Sequence, residues 1–567
     1  MQKREEVKSV QPKIVQTQNT DVIPFIVYRH LSSLNIAQQR AICIKGMFAS
    51  LSKLLNDNFE KYQFDTKAIK SLTDSGINED EFHRILHKLN EKTPDQKAKG
   101  IYNTPNDVVD FIIANCISKK TETTYHGTKC LNNISELDEF LKTSIFDPTV
   151  GSGEFLVHGF QVKVNHLQTF PGEYTDKMYL DILSSLYGND IDVLAIEICK
   201  VRLFFEVEKY ISPNSYKKAV DILNENLTNY DFINLDVKGY GKKFDLILGN
   251  PPYVEYSKSK IVPTVKYGNV YANVLQNSID LLNDKGKIGF IIPISYVSTQ
   301  RMWKIREYVE KNTARQKVLN FADRPSCLFV GVHQKLTILI AQKGDQPHKV
   351  YTSGYNYWYK DERNNLFNKT SLIENPFVNA IYYPKLSNKS DVNIFKKVHT
   401  NNNKGILSLK NDTIPNVFLN MRACFWIKAF SFSFESKEYK GFSFDEDKKW
   451  HIISLLNSSL FWWYWTAVSD CWHITHKELS GFYVPPKIFT STELPKLGQL
   501  LQGKLEHTKV AIHTKQANFE YKHRLCRDLI DKIDDCISTY YKLTKTEVEY
   551  IKNFEKKYRD SLGVTNP

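Results

Sequence analysis

Phe146-Asp147-Pro148-Thr149-Val150-Gly151-Ser152-Gly153-Glu154-Phe155 reads as a strand end, a glycine-rich turn and a helix start. In doubly wound α/β folds ligands sit at the carboxyl ends of the strands, where glycines let the backbone come close. A bare GxG occurs in many loops; the Asp and Pro in front of it make this one more specific. The GxxxxGK[ST] pattern is absent here and no Lys follows the glycines, which excludes a phosphate loop. An acidic residue at the strand end suits a cationic ligand instead.

Working outward, strand-like runs cover 144–147, 186–190, 244–249, 287–292, 318–321 and 336–341, most followed by a turn signal and a helix-like stretch. That alternation predicts a mainly parallel α/β sheet over residues 96–343. Asp190, followed by Ile191, closes the second run 43 residues after Asp147, which leaves room for one helix and a return strand. A carboxylate there commonly accepts ribose hydroxyls, although Asp is also a favoured helix cap. Asp231 with Phe232 beside it completes a series suited to an adenine, the acid for its amino group and the ring over the base.

The run 244–249 leads directly into Asn250-Pro251-Pro252-Tyr253. Two prolines fix φ and remove two donors, so the chain must leave the strand as a rigid loop with its carbonyls available. This suits one difficult reaction. An exocyclic amine conjugated with a purine ring is a poor nucleophile, because its lone pair is delocalised. Accepting both of its hydrogens, with the Asn250 amide oxygen and the Pro251 carbonyl, favours a pyramidal nitrogen and positions it for in-line attack. Tyr253 would stack on the base. Phe329, at a turn before the run 336–341, is the candidate for the other ring face, with core packing as its plain alternative.

Bulk properties bound the rest. At 567 residues, two to four compact units are expected. A composition of 42% hydrophobic and 25% charged residues is that of a globular protein. Lys and Arg number 76 against 63 Asp and Glu, giving a net charge of +13, which permits a polyanionic partner. Nine cysteines without a CxxC pair fit reduced thiols in the cytoplasm rather than a disulfide framework. No apolar run suggests a signal peptide or a membrane span. Cys471, His473 and His476 lack a suitably spaced fourth ligand for zinc, and no metal is expected.

Taken together, these motifs resemble the gamma-class adenine-N6 DNA methyltransferases of restriction–modification and phage-defence systems. The resemblance starts at Ile101-Tyr102-Asn103-Thr104-Pro105 and continues through Asp147–Phe155, Gly188–Asp192, Asp231-Phe232, Asn250–Tyr253 and Gly286–Ser295. Cofactor motifs before the catalytic one, with recognition sequence at the C-terminus, is the order that defines the gamma class. It implies a Rossmann-like S-adenosylmethionine-dependent methyltransferase domain over 96–343; before it, apolar residues at helical spacing predict a helical region over 1–95. A mixed α+β target-recognition domain over 344–500 and a C-terminal helical segment over 501–567 would follow. The implied cofactor, S-adenosyl-L-methionine, would be held by Tyr102, Thr104, Asp147, Pro148, Gly151, Gly153, Phe155, Asp190, Ile191, Asp231, Phe232 and Asn250. Asn250, Pro251, Pro252, Tyr253 and Phe329 would form the catalytic set. Double-stranded DNA is the implied substrate, a restriction endonuclease or other defence subunits the implied partners, and the bacterial or archaeal cytoplasm, at the nucleoid, the implied place. The same catalytic chemistry serves RNA adenine or a protein glutamine amide, and a modification subunit active only with partners is a further alternative.

Overall fold

The computed structural model describes residues 104–117, 139–169, 171–256, 262–329, 332–345, 348–512 and 519–561. The expected helical region over 1–95, and Tyr102, lie outside these residues. Two compact units are present: the first is built from the described residues up to Pro293 with Arg301–Val318 and Leu328–Lys349, the second from Ile294–Gln300, Leu319–Cys327 and the chain from Val350 onward.

The first unit is the α/β sheet expected from the sequence. Its elements are α1 (Asn106–Ile117), β1 (Ile145–Asp147), α2 (Glu154–Gln168), α3 (Asp176–Ser184), β2 (Leu186–Asn189), α4 (Val193–Val207), α5 (Tyr216–Asn226) and β3 (Leu227–Thr228). They continue with β4 (Phe244–Gly249), α6 (Val270–Asp280), β5 (Leu282–Pro293), α7 (Trp303–Asn312), β6 (Thr313–Phe321) and β7 (Leu336–Lys343). The strand order is β3-β2-β1-β4-β5-β7-β6. The pairs β1–β2, β1–β4, β2–β3 and β4–β5 are parallel, and β7 runs antiparallel to β5. Strand β1 is buried throughout, as are four consecutive residues of β4 and six of β5. Continuous apolar runs of this kind are what a sheet covered on both faces requires. Phe146 stacks on Phe244 with ring centroids 4.4 Å apart, knitting β1 to β4.

Strand order reverses between β1 and β4, so the carboxyl ends of these two strands open a crevice at the switch point. Asp147 ends β1, and Asn250 directly follows β4.

In the second unit β8 (Lys349–Asn356) pairs antiparallel with β9 (Ile373–Glu374). After α8 (Lys389–Val398), β10 (Val417–Asn420) is the centre of a three-stranded antiparallel sheet with β11 (Ala429–Phe430) and β12 (Tyr439–Phe442). The helices α9 (Glu446–Leu456), α10 (Ser459–Val468), α11 (Glu493–Thr508), α12 (Arg527–Ser538) and α13 (Lys545–Asn553) follow. All ten residues of α10 are buried, including Trp462, Trp463 and Trp465, whose indole N–H groups donate to Cys424 O, Asp391 Oδ1 and His473 O. Its last carbonyls accept from Lys385 Nζ and Lys477 Nζ, cations at the negative end of the helix dipole.

Candidate active site

The glycine-rich turn is held by groups from three other segments. Gly153, the residue before α2, has φ +91°, and a Cβ there would lie 2.7 Å from Cys199 Sγ on α4. Only glycine meets both conditions. Gly151 N donates to Asp190 Oδ2 at 2.9 Å, and Val150 N to Asn189 O at 2.8 Å, so the end of β2 fixes the turn after β1. Asn189 is buried; its amide donates to Pro148 O and Tyr230 O, both at 3.2 Å, and accepts from Tyr230 N at 3.1 Å. One side chain thereby ties together the turns after β1 and β3. From α4, Arg202 reaches Ser152 O at 2.8 Å and forks onto Glu154 at 2.8 and 3.1 Å. Neither Asn189 nor Arg202 was singled out from the sequence, where residues about fifty positions apart carry no local spacing signal.

The carboxylates face an environment that resists their charge. Asp147 is 1% exposed; burial pushes its carboxyl well above the usual range, against the help of the Thr149 N–H at 3.0 Å, and the charge of Asp190 pushes it further. Burial likewise raises Asp190 to about 6, although the amides of Asp192 and Gly151 oppose the shift. Ile191, next to it, is 66% exposed, an apolar side chain left bare at the carboxyl edge of the sheet. Asp231 accepts from Ile233 N at 3.0 Å and Asn234 Nδ2 at 2.8 Å, closing its own turn. Phe232 is buried with its ring centroid 5.8 Å from that of Phe146. Thr104 is buried just before α1, as are Phe155 in the first turn of α2 and Pro148 in the turn itself.

Across the switch point the strand β4 comes against this turn. A Cβ on Gly249 would lie 2.9 Å from Asp147 Oδ1, so a glycine is what allows the end of β4 to sit beside the buried carboxylate. Next along the chain, Pro251 is buried, and Asn250, Pro252 and Tyr253 are half-buried. The Tyr253 hydroxyl faces two acceptors, Asn250 Oδ1 and Ile291 O, the latter at 2.9 Å. Burial raises the Tyr253 phenol well above its ordinary value, so it is a donor at any working pH. The far end of the loop is anchored as well: Val254 O accepts from Val270 N at 3.0 Å, and the Tyr256 hydroxyl bonds Asn273 Oδ1 on α6. Phe329 is 4% exposed, and its carbonyl accepts from Val332 N at 3.0 Å.

A doubly wound sheet with its carboxylates, glycine turn and Asn-Pro-Pro-Tyr loop gathered at the switch point defines the class: a Rossmann-like α/β fold. Within that class, residues 184–327 match the family model described as Eco57I restriction-modification methylase. The matched segment includes Asp190, Asp231 and Asn250–Tyr253 and ends before Phe329. The chain is 23% identical over 271 residues to the type II restriction enzyme and methyltransferase RM.Eco57I of Escherichia coli, covering 39% of this chain and 26% of that protein. It is 25% identical over 224 residues to the type II methyltransferase M.CvrRI of Paramecium bursaria Chlorella virus XZ-6E, covering 39% of this chain and 41% of that protein. Among solved structures, the ATP-dependent Type ISP restriction-modification enzyme LlaBIII bound to DNA aligns with a TM-score of 0.42 at 15% identity, over 68% of this chain and 31% of that one. The chain spans less than half the length of each of these proteins; the family model and the two curated relatives agree with the resemblance to restriction–modification adenine methyltransferases carried by the motifs. Among the described residues no helix is long and apolar enough to cross a membrane.

Proposed function

We propose that this chain transfers a methyl group from S-adenosyl-L-methionine to the N6 of an adenine flipped out of double-stranded DNA, as the modification activity of a restriction–modification or phage-defence system. The observation that supports this most is the approach of Gly249 to Asp147, which sets the Asn-Pro-Pro-Tyr loop against the glycine-rich turn across one crevice. The crevice suits the cofactor. Its buried acid Asp147 fits a cationic amino group, Asp190 retains lone pairs for ribose hydroxyls, and the bare Ile191 offers an apolar face for adenine. Thr149 Oγ1, in the same turn, is buried without a partner among the described residues, a polar atom that a ligand would satisfy. When bound, S-adenosyl-L-methionine supplies an electrophilic methyl on its sulfonium.

The chain's own part is positioning. Asn250 Oδ1 and the Pro251 carbonyl accept the two hydrogens of the target amine, which favours a pyramidal nitrogen and stabilises the charge that develops on it. Asn250 Oδ1 has two lone pairs, and Tyr253 can release the one it holds, with Ile291 O as its alternative acceptor. The exchange leaves no buried hydroxyl unpaired. Extruding the adenine costs a few kcal/mol, which stacking on Tyr253, with Phe329 on the other face, would offset.

Purified protein incubated with tritiated S-adenosylmethionine and duplex DNA tests the proposal. Label recovered as N6-methyl-2′-deoxyadenosine after nucleoside digestion supports it; label on protein or RNA alone, or none, refutes it.

A further inference from the structure

One exposed cluster of the second unit plays no part in the chemistry above. Trp472 lies in the turn after α10 and is 36% exposed, whereas Trp462, Trp463 and Trp465 of the helix before it are at 0–1%. Its turn is costly to hold. Cys471, the preceding residue, has φ +55°, a left-handed conformation that non-glycine residues rarely adopt. Asp470 secures it, its Oδ1 accepting from both Trp472 N and His473 N at 2.8 Å. The turn is sewn to the segment after β10 by Ala423 N to Trp472 O at 3.2 Å and Ile474 N to Met421 O at 2.8 Å. The indole is thus presented on a rigid base rather than left over at a loose loop.

Two guanidinium groups flank it. The central carbons of Arg324 and Arg422 each lie 5.9 Å from the indole ring. Arg422 is also paired with Glu438 at 2.9 Å. Arg324 has no such partner: its Nε is buried without a hydrogen bond among the described residues. Stacking on an aromatic ring at an exposed site is a small return for a strained turn and a desolvated donor. A rigid exposed indole beside a guanidinium fork with open donors fits a ligand that offers both a flat apolar face and an anionic oxygen pair. Nucleic acid offers both, and the net charge of +13 favours it.

We propose that Trp472 and Arg324, supported by Arg422, form a duplex-DNA contact of the second unit, with the Arg324 fork on a backbone phosphate and the indole against the adjoining sugar and base. This rests on the proposed DNA substrate. It is tested with the full chain and a labelled random-sequence duplex, by fluorescence anisotropy across a salt series. Trp472→Ala is expected to weaken binding roughly 10- to 100-fold. Arg324→Ala should lower the slope of log affinity against log salt by about 1, and Arg324→Lys should keep the slope while losing affinity. S-adenosylmethionine binding by calorimetry and the melting profile should stay as in the wild type for all three variants, which separates contact loss from unfolding. If the wild type binds duplex and Arg324→Ala and Trp472→Ala both bind it with unchanged affinity and slope, this contact is refuted while the DNA substrate stands. If the wild type itself binds no duplex, both are refuted.

Discussion

Arg202→Met probes what holds the glycine-rich turn in place. Arg202 donates three hydrogen bonds, at 2.8, 2.8 and 3.1 Å, to Ser152 O and the two oxygens of Glu154, and both side chains are only 13% exposed. Methionine keeps the aliphatic stem and removes the charge. Stripping a fully buried carboxylate of its partner costs about 3–5 kcal/mol. Here the residual exposure and the place of Glu154 in the first turn of α2, where the helix dipole favours an anion, reduce that to about 2–3 kcal/mol. For a unit of this size the melting temperature should fall by roughly 5–10 °C. The double variant Glu154→Gln/Arg202→Met should recover part of the loss, because the unpaired charge is gone. Differential scanning calorimetry reads both quantities, with the first unit's transition recognised by its shift on adding S-adenosylhomocysteine. Cofactor affinity should fall alongside, since Gly151 and Gly153 lose their support. If Arg202→Met melts and binds as the wild type does, the turn is held by something other than this pair.

Gly249→Ala places a methyl 2.9 Å from Asp147 Oδ1 and 3.4 Å from Phe290 Cε1, and should cost about 1–3 kcal/mol of stability and weaken cofactor binding in calorimetry. For Asp190, whose carboxyl sits at about 6, folding favours the neutral form, so ionisation subtracts from the stability of the ligand-free protein as pH rises from about 4 to about 6. A ligand whose hydroxyls pair with the ionised form binds more tightly over the same range; affinity measured between pH 5 and 8 should drop below about 6, and Asp190→Asn should flatten that profile. Tyr253→Phe removes a hydroxyl that bonds Asn250 and Ile291 but keeps the ring, and should retain most methyl transfer, whereas Tyr253→Ala loses the stacking worth about 1–3 kcal/mol; equal losses in the two variants would assign the work to the hydroxyl.

Much of the sheet was legible because β1, β4 and β5 carry apolar runs that end at Asp147, Gly249 and Pro293. The run expected over 244–249 is β4 itself, and those at 144–147 and 186–190 differ from β1 and β2 by one residue. Strand β3, two residues long, is too short for any periodicity, and β5 begins five residues before the expected 287, hidden behind the polar Asn283-Asp284-Lys285-Gly286 stretch. The reversal of β7 was equally invisible, since alternation of side chains carries no direction. At the site, Asp147, Asp190 and Asn250 stood out because each is polar at the end of an apolar strand. Arg202 and Asn189 did not, because their partners are joined only by the fold. The turn made by Asp231 with Ile233 and Asn234 shows the converse: an acid placed in series by the sequence also has local work of its own.

The most direct test of adenine methylation is methylation-sensitive sequencing of DNA from cells expressing the protein, beside cells expressing Asn250→Ala. N6-methyladenine at a defined motif, present with the wild type and absent with the variant, is the predicted outcome. Marks that never arise, or that persist when Asn250 is replaced, would contradict it.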